Sequence, residues 1–189
     1  MTKPMLTLTP VVEVRAPDQS AGWVALGSDT SEEDIARVVA ALANYNGITE
    51  SASVKAVVHE LARTGDDLIA PGGLMIRAAG FESSPSCCCG LETWREWFQV
   101  KPGGSSPWLG HGPSPWVDCK ADAAIIWADG DLGEKSPCIT IAYDEIQRAL
   151  RDADQALSAF VARLSDWLSK NDAANADFVR RFSWAFDVA

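Results

Sequence analysis

The sequence predicts an α+β fold: a single domain over residues 1–189, with a mostly antiparallel sheet packed against a long C-terminal helix and an N-terminal helical hairpin. Two observations lead to this prediction. The predicted strands and helices do not alternate regularly, as they would around a parallel sheet. In addition, 47% of the 189 residues are hydrophobic and 22% are charged, so one sizeable core can be buried.

The chain begins with two predicted strands. Apolar and polar side chains alternate over residues 5–15, which is the period of a strand with one buried face. Pro10 lies inside this run, and because proline has no N–H we expect it to break the strand or to occupy an edge. A second short strand is predicted over residues 22–26.

Two short amphipathic helices follow the predicted strands. The first begins at Thr30, which has capping-box spacing to Glu33, and ends at residues 46–47. The second is capped by Thr49 and ends at residues 64–65. Together they predict a helical hairpin packed on a sheet. A DNA-reading helix-turn-helix is disfavoured because the second helix carries few basic residues.

The middle of the chain contains several short elements. Residues 68–79 predict two short strands, or one strand interrupted at its Pro-Gly-Gly sequence. Pro85 suits a first helical turn, and the apolar stripe that follows it predicts a helix over about residues 86–99. Strands are then predicted over residues 117–127 and 138–143.

Two helices complete the chain. Asp144 is the predicted cap of the longest helix, residues 144–168, whose apolar side chains recur in alternating steps of four and three. A seam of this length is more typical of a helix packed in a core than of a free coiled coil, so we expect Leu157 to be buried. A final helix is predicted over about residues 173–186, with three phenylalanines on one face.

A loop over residues 101–118 is rich in glycine, proline and serine. It contains two copies of Ser-Pro-Trp, which supply Trp108 and Trp116, and His111 lies between two glycines in the middle. A flexible linker does not normally carry two tryptophans. We therefore expect an ordered loop in which both indoles are mostly buried.

The net charge of the chain is −10. This acidity opposes binding to nucleic acid, which requires basic surface, and to anionic membranes. It permits a basic protein partner, since unlike charges steer association. The start of the sequence does not resemble a secretory signal, and no apolar run is long enough for a transmembrane helix, so the cytoplasm is the predicted compartment. The oligomeric state stays open.

The most unusual chemical feature is a run of three cysteines, Cys87, Cys88 and Cys89. If the predicted helix begins just before them, they lie in its first turn, where the helix dipole favours a thiolate. One of them could then act as a nucleophile with His111 as its base. Alternatively, Cys87 and Cys89 could bind zinc or copper together with His111 and Cys119. Because no Cys-x-x-Cys pair is present, we expect packing residues and no cofactor.

Tryptophans are concentrated around the loop. Four of the eight in the chain lie within residues 94–116. Exposed together they would form an interface hot spot, and buried they would fasten the loop onto the short helix. The candidate binding residues are Trp94, Arg95, Trp97, Trp108, His111 and Trp116.

These observations favour a noncatalytic protein-binding module that uses an acidic, tryptophan-rich surface around residues 92–118. Its composition also suits inhibitor or toxin-immunity proteins, although no motif supports that likeness. The alternative is a small thiol- or metal-dependent enzyme built on the three cysteines and His111. A third hypothesis is a structural domain that pairs through the helix over residues 144–168.

Overall fold

In the residues that the computed structural model describes, namely 5–15, 21–49, 53–64, 68–86 and 88–188, two antiparallel sheets and four α-helices form one α+β body. The strands are β1 (Thr7–Arg15), β2 (Ala21–Ala25), β3 (Gly72–Ala78), β4 (Phe81–Ser83), β5 (Trp116–Cys119), β6 (Ala123–Trp127) and β7 (Cys138–Ala142). The helices are α1 (Glu32–Tyr45), α2 (Val54–Arg63), α3 (Tyr143–Lys170) and α4 (Ala176–Ala185). Leu91–Gln99 is a 3₁₀ helix, here called the central 3₁₀ helix, and Gly130–Lys135 is a shorter 3₁₀ segment.

The strands pair as predicted, in antiparallel order. The first sheet has the order β2-β1-β3-β4 and the second has the order β5-β6-β7. The single strand predicted over residues 117–127 is in fact the hairpin β5–β6, which the N–H of Lys120 closes by donating to the carbonyl of Ala123 (3.0 Å). Tyr143, predicted as strand, instead begins α3.

Pro10 lies within β1 without breaking it. It pairs with Leu74 of β3, and its carbonyl accepts a hydrogen bond from the N–H of Leu26 (2.9 Å). The ladder between β1 and β2 ends at Val11, so the nitrogen of Pro10 faces the side on which β2 has stopped. The strand is therefore central, and Pro10 occupies a local edge within it.

Three helix caps differ from their predictions. Ser31, not Thr30, caps α1 by accepting from the N–H of Asp34 (3.1 Å). Thr30 is buried and its hydroxyl donates to main-chain carbonyls of the preceding turn. Ser53, not Thr49, caps α2. At α3 the cap position belongs to Ala142, and Asp144 lies in the first turn.

The core lies between the first sheet and the helices. α3 packs against β1 and α4, and α1 packs on β1 as part of the predicted hairpin with α2. The seam of α3 is buried, and Leu157 within it has no exposed surface. The face of α4 that carries Phe178, Phe182 and Phe186 is likewise fully buried. Across the described ranges, no helix combines the length and apolar character needed to cross a bilayer.

Candidate functional site

The central 3₁₀ helix begins at Leu91, which corrects the prediction of a helix start near residue 86. The cause is a backbone bridge to the start of β3. The N–H of Gly72 donates to the carbonyl of Cys89 (3.1 Å), and the N–H of Leu91 donates to the carbonyl of Ala70 (2.9 Å). These bonds hold Gly90 in an extended conformation opposite Pro71, so the helix starts only beyond it.

Cys88 and Cys89 consequently lie in a turn ahead of the helix. Cys88, Cys89 and Gly90 form this segment, which we call the cysteine turn, and Pro85 precedes it instead of starting the helix. Cys88 adopts a left-handed backbone conformation with φ +62°. Gly90 occupies the helix cap position and makes no side-chain cap. Cys87 lies outside the described residues, so predictions that involve it stay predictions.

Cys89 does not have the lowered pKa that a helix N-terminus would give. Burial, together with the nearby carboxylates of Glu92 and Glu96, raises the pKa of its thiol to about 11. The thiol lies against Gly73, whose φ is +153° and where an added Cβ would approach the sulfur within 3.2 Å. Cys89 is therefore a protonated thiol at neutral pH, packed against Gly73.

A small cavity lies beside the Cys89 thiol. Its volume is about 10 Å³, and its walls include Leu74, Trp94, Trp97 and Leu109. This volume is about that of one water probe and far below that of a small-molecule site. A thiol-dependent reaction on a bound substrate gains no support from this geometry.

The candidate metal ligands do not converge. The thiol of Cys119 points to the carbonyl of Ser105 (3.9 Å), whereas the thiol of Cys89 points to the carbonyl of Trp108 (3.9 Å). In the part of the chain that the structure describes, no three His, Cys, Asp or Glu side chains are grouped so that they could hold a metal ion. The ring of His111 packs edge-on against Trp108, with 4.7 Å between the ring centroids.

Trp94 and Trp97 fasten the central 3₁₀ helix into the core. Each side chain is only 2% exposed. The indole N–H of Trp94 donates to the carbonyl of Phe186 (2.8 Å), at the end of α4. Neither residue can therefore contribute to the exposed tryptophan surface on which the binding hypothesis placed them.

Arg95 ties the same helix to two other elements. Its guanidinium forms an ion pair with Asp154 of α3 (3.1 Å) and another with Asp187 (2.5 Å), whose carbonyl it also contacts. The guanidinium lies over the ring of Trp94, at 4.5 Å from its centroid. These contacts occupy Arg95 within the molecule, so its placement is structural.

Trp108 is 45% exposed, which corrects the prediction that its indole is mostly buried. Two hydrogen bonds nevertheless fix the position of this residue. Its main-chain N–H donates to Glu96 (2.7 Å), and its indole N–H donates to the carbonyl of Cys88 (3.1 Å). Because the indole nitrogen is satisfied inside the molecule, the exposed part of Trp108 is mainly apolar ring surface.

Trp116 is half-buried in β5, so its predicted burial is only partly met. Its ring stacks on Trp127 of β6, with centroids 5.0 Å apart and planes 8° from parallel. Sequence reasoning missed this partner because the hairpin that places the two rings opposite each other was not predicted. Gly130 packs tightly against the same ring. A Cβ at this position would lie 3.2 Å from Trp116 and 2.8 Å from the carbonyl oxygen of Ser114, so the turn leaves room only for glycine.

An open groove of about 490 Å³ lies between the loop, the central 3₁₀ helix and the turn at Gly130. We call it the Trp108 groove. The residues that define its walls are Glu96, Pro107, Trp108, His111, Trp116 and Gly130. Glu96 contributes negative charge to the lining, and Asp129 and Asp131 are the sequence neighbours of Gly130. Within the described lining there is no Lys or Arg to offset these carboxylates.

Another exposed tryptophan, Trp184, was not predicted as a surface feature. It lies on α4 and is 73% exposed, the largest exposed fraction among the large hydrophobic side chains that the structure describes. It lines a shallow groove of about 460 Å³ with Arg180 and Arg181. Its position off the buried phenylalanine stripe of α4 was the signal in the sequence that could have indicated exposure.

In comparisons with known proteins, the chain matches no protein-family model, no curated protein and no solved structure. The functional conclusion consequently depends on the geometry of the Trp108 groove.

Proposed function

We propose that this chain is a noncatalytic protein-binding module that uses the Trp108 groove to bind a basic segment of a partner protein. The observation that supports it most directly is Trp108 itself, which is 45% exposed although two hydrogen bonds fix its position. A rigid, exposed tryptophan loses little conformational freedom on binding, and tryptophan is enriched among residues that dominate interface energies.

Charge selects the partner. Glu96 is the charged side chain in the described lining of the groove, in a chain whose net charge is −10. Such a surface attracts a basic segment and repels an acidic one before contact is made. Inhibitor or toxin-immunity activity is one way in which a module of this kind could act, by covering a basic functional surface on its partner.

A binding role also agrees with the state of the cysteines. Cys89 is held as a neutral thiol beside a cavity of about 10 Å³, which has no room for a substrate. Cys89, Cys119 and Cys138 are free thiols, as expected in a reducing compartment, and we place the protein in the cytoplasm on that basis.

Site-specific photo-crosslinking tests the proposal. A benzoylphenylalanine placed at His111, on the rim of the groove, is expected to give a discrete adduct in cells that express the protein. The same probe at Trp184 is the matched control, since that position is exposed and lies outside the groove. Mass spectrometry of the adduct identifies the partner.

The purified partner then provides the decisive measurement. Trp108→Ala is expected to remove the adduct and to weaken binding in calorimetry by about 30-fold or more, as for a hot-spot residue. Trp184→Ala is expected to leave the affinity unchanged. Adducts at His111 that are no stronger than at Trp184, or that persist in Trp108→Ala, would refute the proposal.

A further inference from the structure

The Trp108 groove combines two recognition elements side by side. The main-chain N–H of Trp108 donates to Oε2 of Glu96 at 2.7 Å, so this carboxylate is fixed at the backbone of the residue whose exposed ring lines the same groove. An aromatic face and an adjacent carboxylate are complementary to a cation that is also a hydrogen-bond donor. The ring and the carboxylate together therefore restrict the ligand more than the negative charge of the groove does alone.

The aromatic surface is held in a fixed orientation. The indole N–H of Trp108 is bonded to the carbonyl of Cys88 (3.1 Å), and the ring makes a T-shaped contact with His111 at a centroid separation of 4.7 Å. A ring anchored at its nitrogen cannot turn its N–H outward. What it presents to solvent is ring carbon, on which a delocalised cation can stack.

The carboxylate of Glu96 retains acceptor capacity. A carboxylate has about four lone-pair sites on two oxygens, and with the described residues Glu96 makes a hydrogen bond only through Oε2. Its Oε1 can accept from a ligand. A planar group with several N–H donors, stacked on Trp108, can therefore donate to Glu96 without breaking the bond from the main-chain N–H of Trp108.

We infer that the Trp108 groove recognises an arginine side chain of the partner, with the guanidinium stacked on Trp108 and hydrogen-bonded to Glu96. This inference depends on the proposed function and specifies its ligand. Arginine is favoured over lysine because its flat guanidinium both stacks on aromatic faces and donates several hydrogen bonds in a fixed plane, whereas lysine offers a compact and strongly hydrated point charge.

Short capped peptides with one central arginine, lysine or citrulline are the probes, and the indole N–H resonances of ¹⁵N-labelled protein are the readout. The arginine peptide is expected to shift the Trp108 resonance saturably. Lysine and citrulline peptides are expected to bind about tenfold more weakly, since lysine lacks the stacking plane and citrulline lacks the charge.

Glu96→Gln supplies the matched variant. Its amide oxygen can still accept from the N–H of Trp108, so the loop keeps its position while the negative charge is lost. We expect about tenfold weaker binding of the arginine peptide. Trp184→Phe is the control and should bind as the wild type does. Equal affinity for arginine and lysine peptides, or an arginine peptide that leaves Trp108 unshifted, would overturn the inference.

The two proposals fail separately. If the His111 crosslink identifies a partner but the peptides show no preference for arginine, the binding function stands and the arginine assignment is wrong. If the arginine peptide binds selectively but no Trp108-dependent adduct forms in cells, the groove recognises arginine and the protein-partner function is wrong.

Discussion

The indole N–H of Trp108 donates a 3.1 Å hydrogen bond to the main-chain carbonyl of Cys88, and the thiol of Cys89 points back to the carbonyl of Trp108 at 3.9 Å. The two most unusual features of the sequence, the cysteine run and the tryptophan loop, are thus one structural unit. The cysteine turn holds the exposed indole in place.

Cys89 is expected to resist alkylation in the folded protein. Its pKa is raised to about 11, so at neutral pH it is almost entirely the unreactive neutral thiol. Iodoacetamide at about pH 8 should modify it on the order of 100-fold more slowly than a thiol of ordinary pKa near 8.5. Cys138, an exposed free thiol, is the internal control, and mass spectrometry assigns the sites. Modification of Cys89 as fast as Cys138 would restore the nucleophile hypothesis.

The same thiol makes stability depend on pH. The folded state raises the pKa of Cys89 from 9.0 to about 11, so between these values the folded chain retains a proton that the unfolded chain has lost. The free energy of unfolding must then fall as the pH rises through this window. The stability linked to the protonated thiol is fully present below the window. Cys89→Ser does not titrate there and should lose less stability between about pH 8 and about pH 11 in urea denaturation. Parallel curves for the two proteins would contradict the prediction.

Leu157→Ala is expected to destabilise the protein strongly. Leu157 lies on the buried seam of α3 with 0% exposure, and truncation of a buried leucine costs about 2–5 kcal/mol. Gln155→Ala on the exposed side of the same helix should change the free energy of unfolding by less than about 0.5 kcal/mol. Urea denaturation measures both. A loss of only a few tenths of a kcal/mol for Leu157→Ala would indicate an exposed seam and favour the pairing-helix hypothesis.

The loop that carries Trp108 is expected to resist proteolysis for as long as Glu96 accepts its main-chain N–H. Glu96→Ala removes a charged acceptor worth about 1.5–3 kcal/mol, so local opening and chymotrypsin cleavage after Trp108 should rise about tenfold. Glu96→Gln retains an acceptor oxygen and should be cleaved at nearly the wild-type rate. Rapid cleavage of the wild type between Gly103 and Gly112 would show that the loop is not ordered.

Local sequence patterns were sufficient for most of the fold. The apolar spacing that predicted α1, α3 and α4 reflects which face of each helix is buried, and that information is present within one helix. The predicted cap position was wrong where two adjacent residues could each cap the helix. Thr30 and Ser31 both suit a cap position, and the choice depends on whether Thr30 is needed to bond the preceding turn.

The site could be predicted only in part, because its determinants are long-range. The cysteine run was expected in a helix, and the bridge to Gly72 and Ala70 that delays the helix start to Leu91 is not visible in the local sequence. The solvent exposure of each tryptophan could not be predicted from the local sequence either. Trp94 and Trp108 have the same intrinsic hydrophobicity, and only long-range contacts of the central 3₁₀ helix, among them the bond from Trp94 to the carbonyl of Phe186, decide that Trp94 is buried.

The bonds from Trp94 to Phe186 and from Arg95 to Asp187 each join residues 92 positions apart. The helix that carries Glu96 is fastened by a segment that the ribosome makes much later, and contacts of such wide sequence separation form late in folding. A nascent chain that has not yet reached Phe186 lacks both attachments, so its groove is unfinished. For the proposed function, we therefore expect partner binding only once the chain has been made through Asp187.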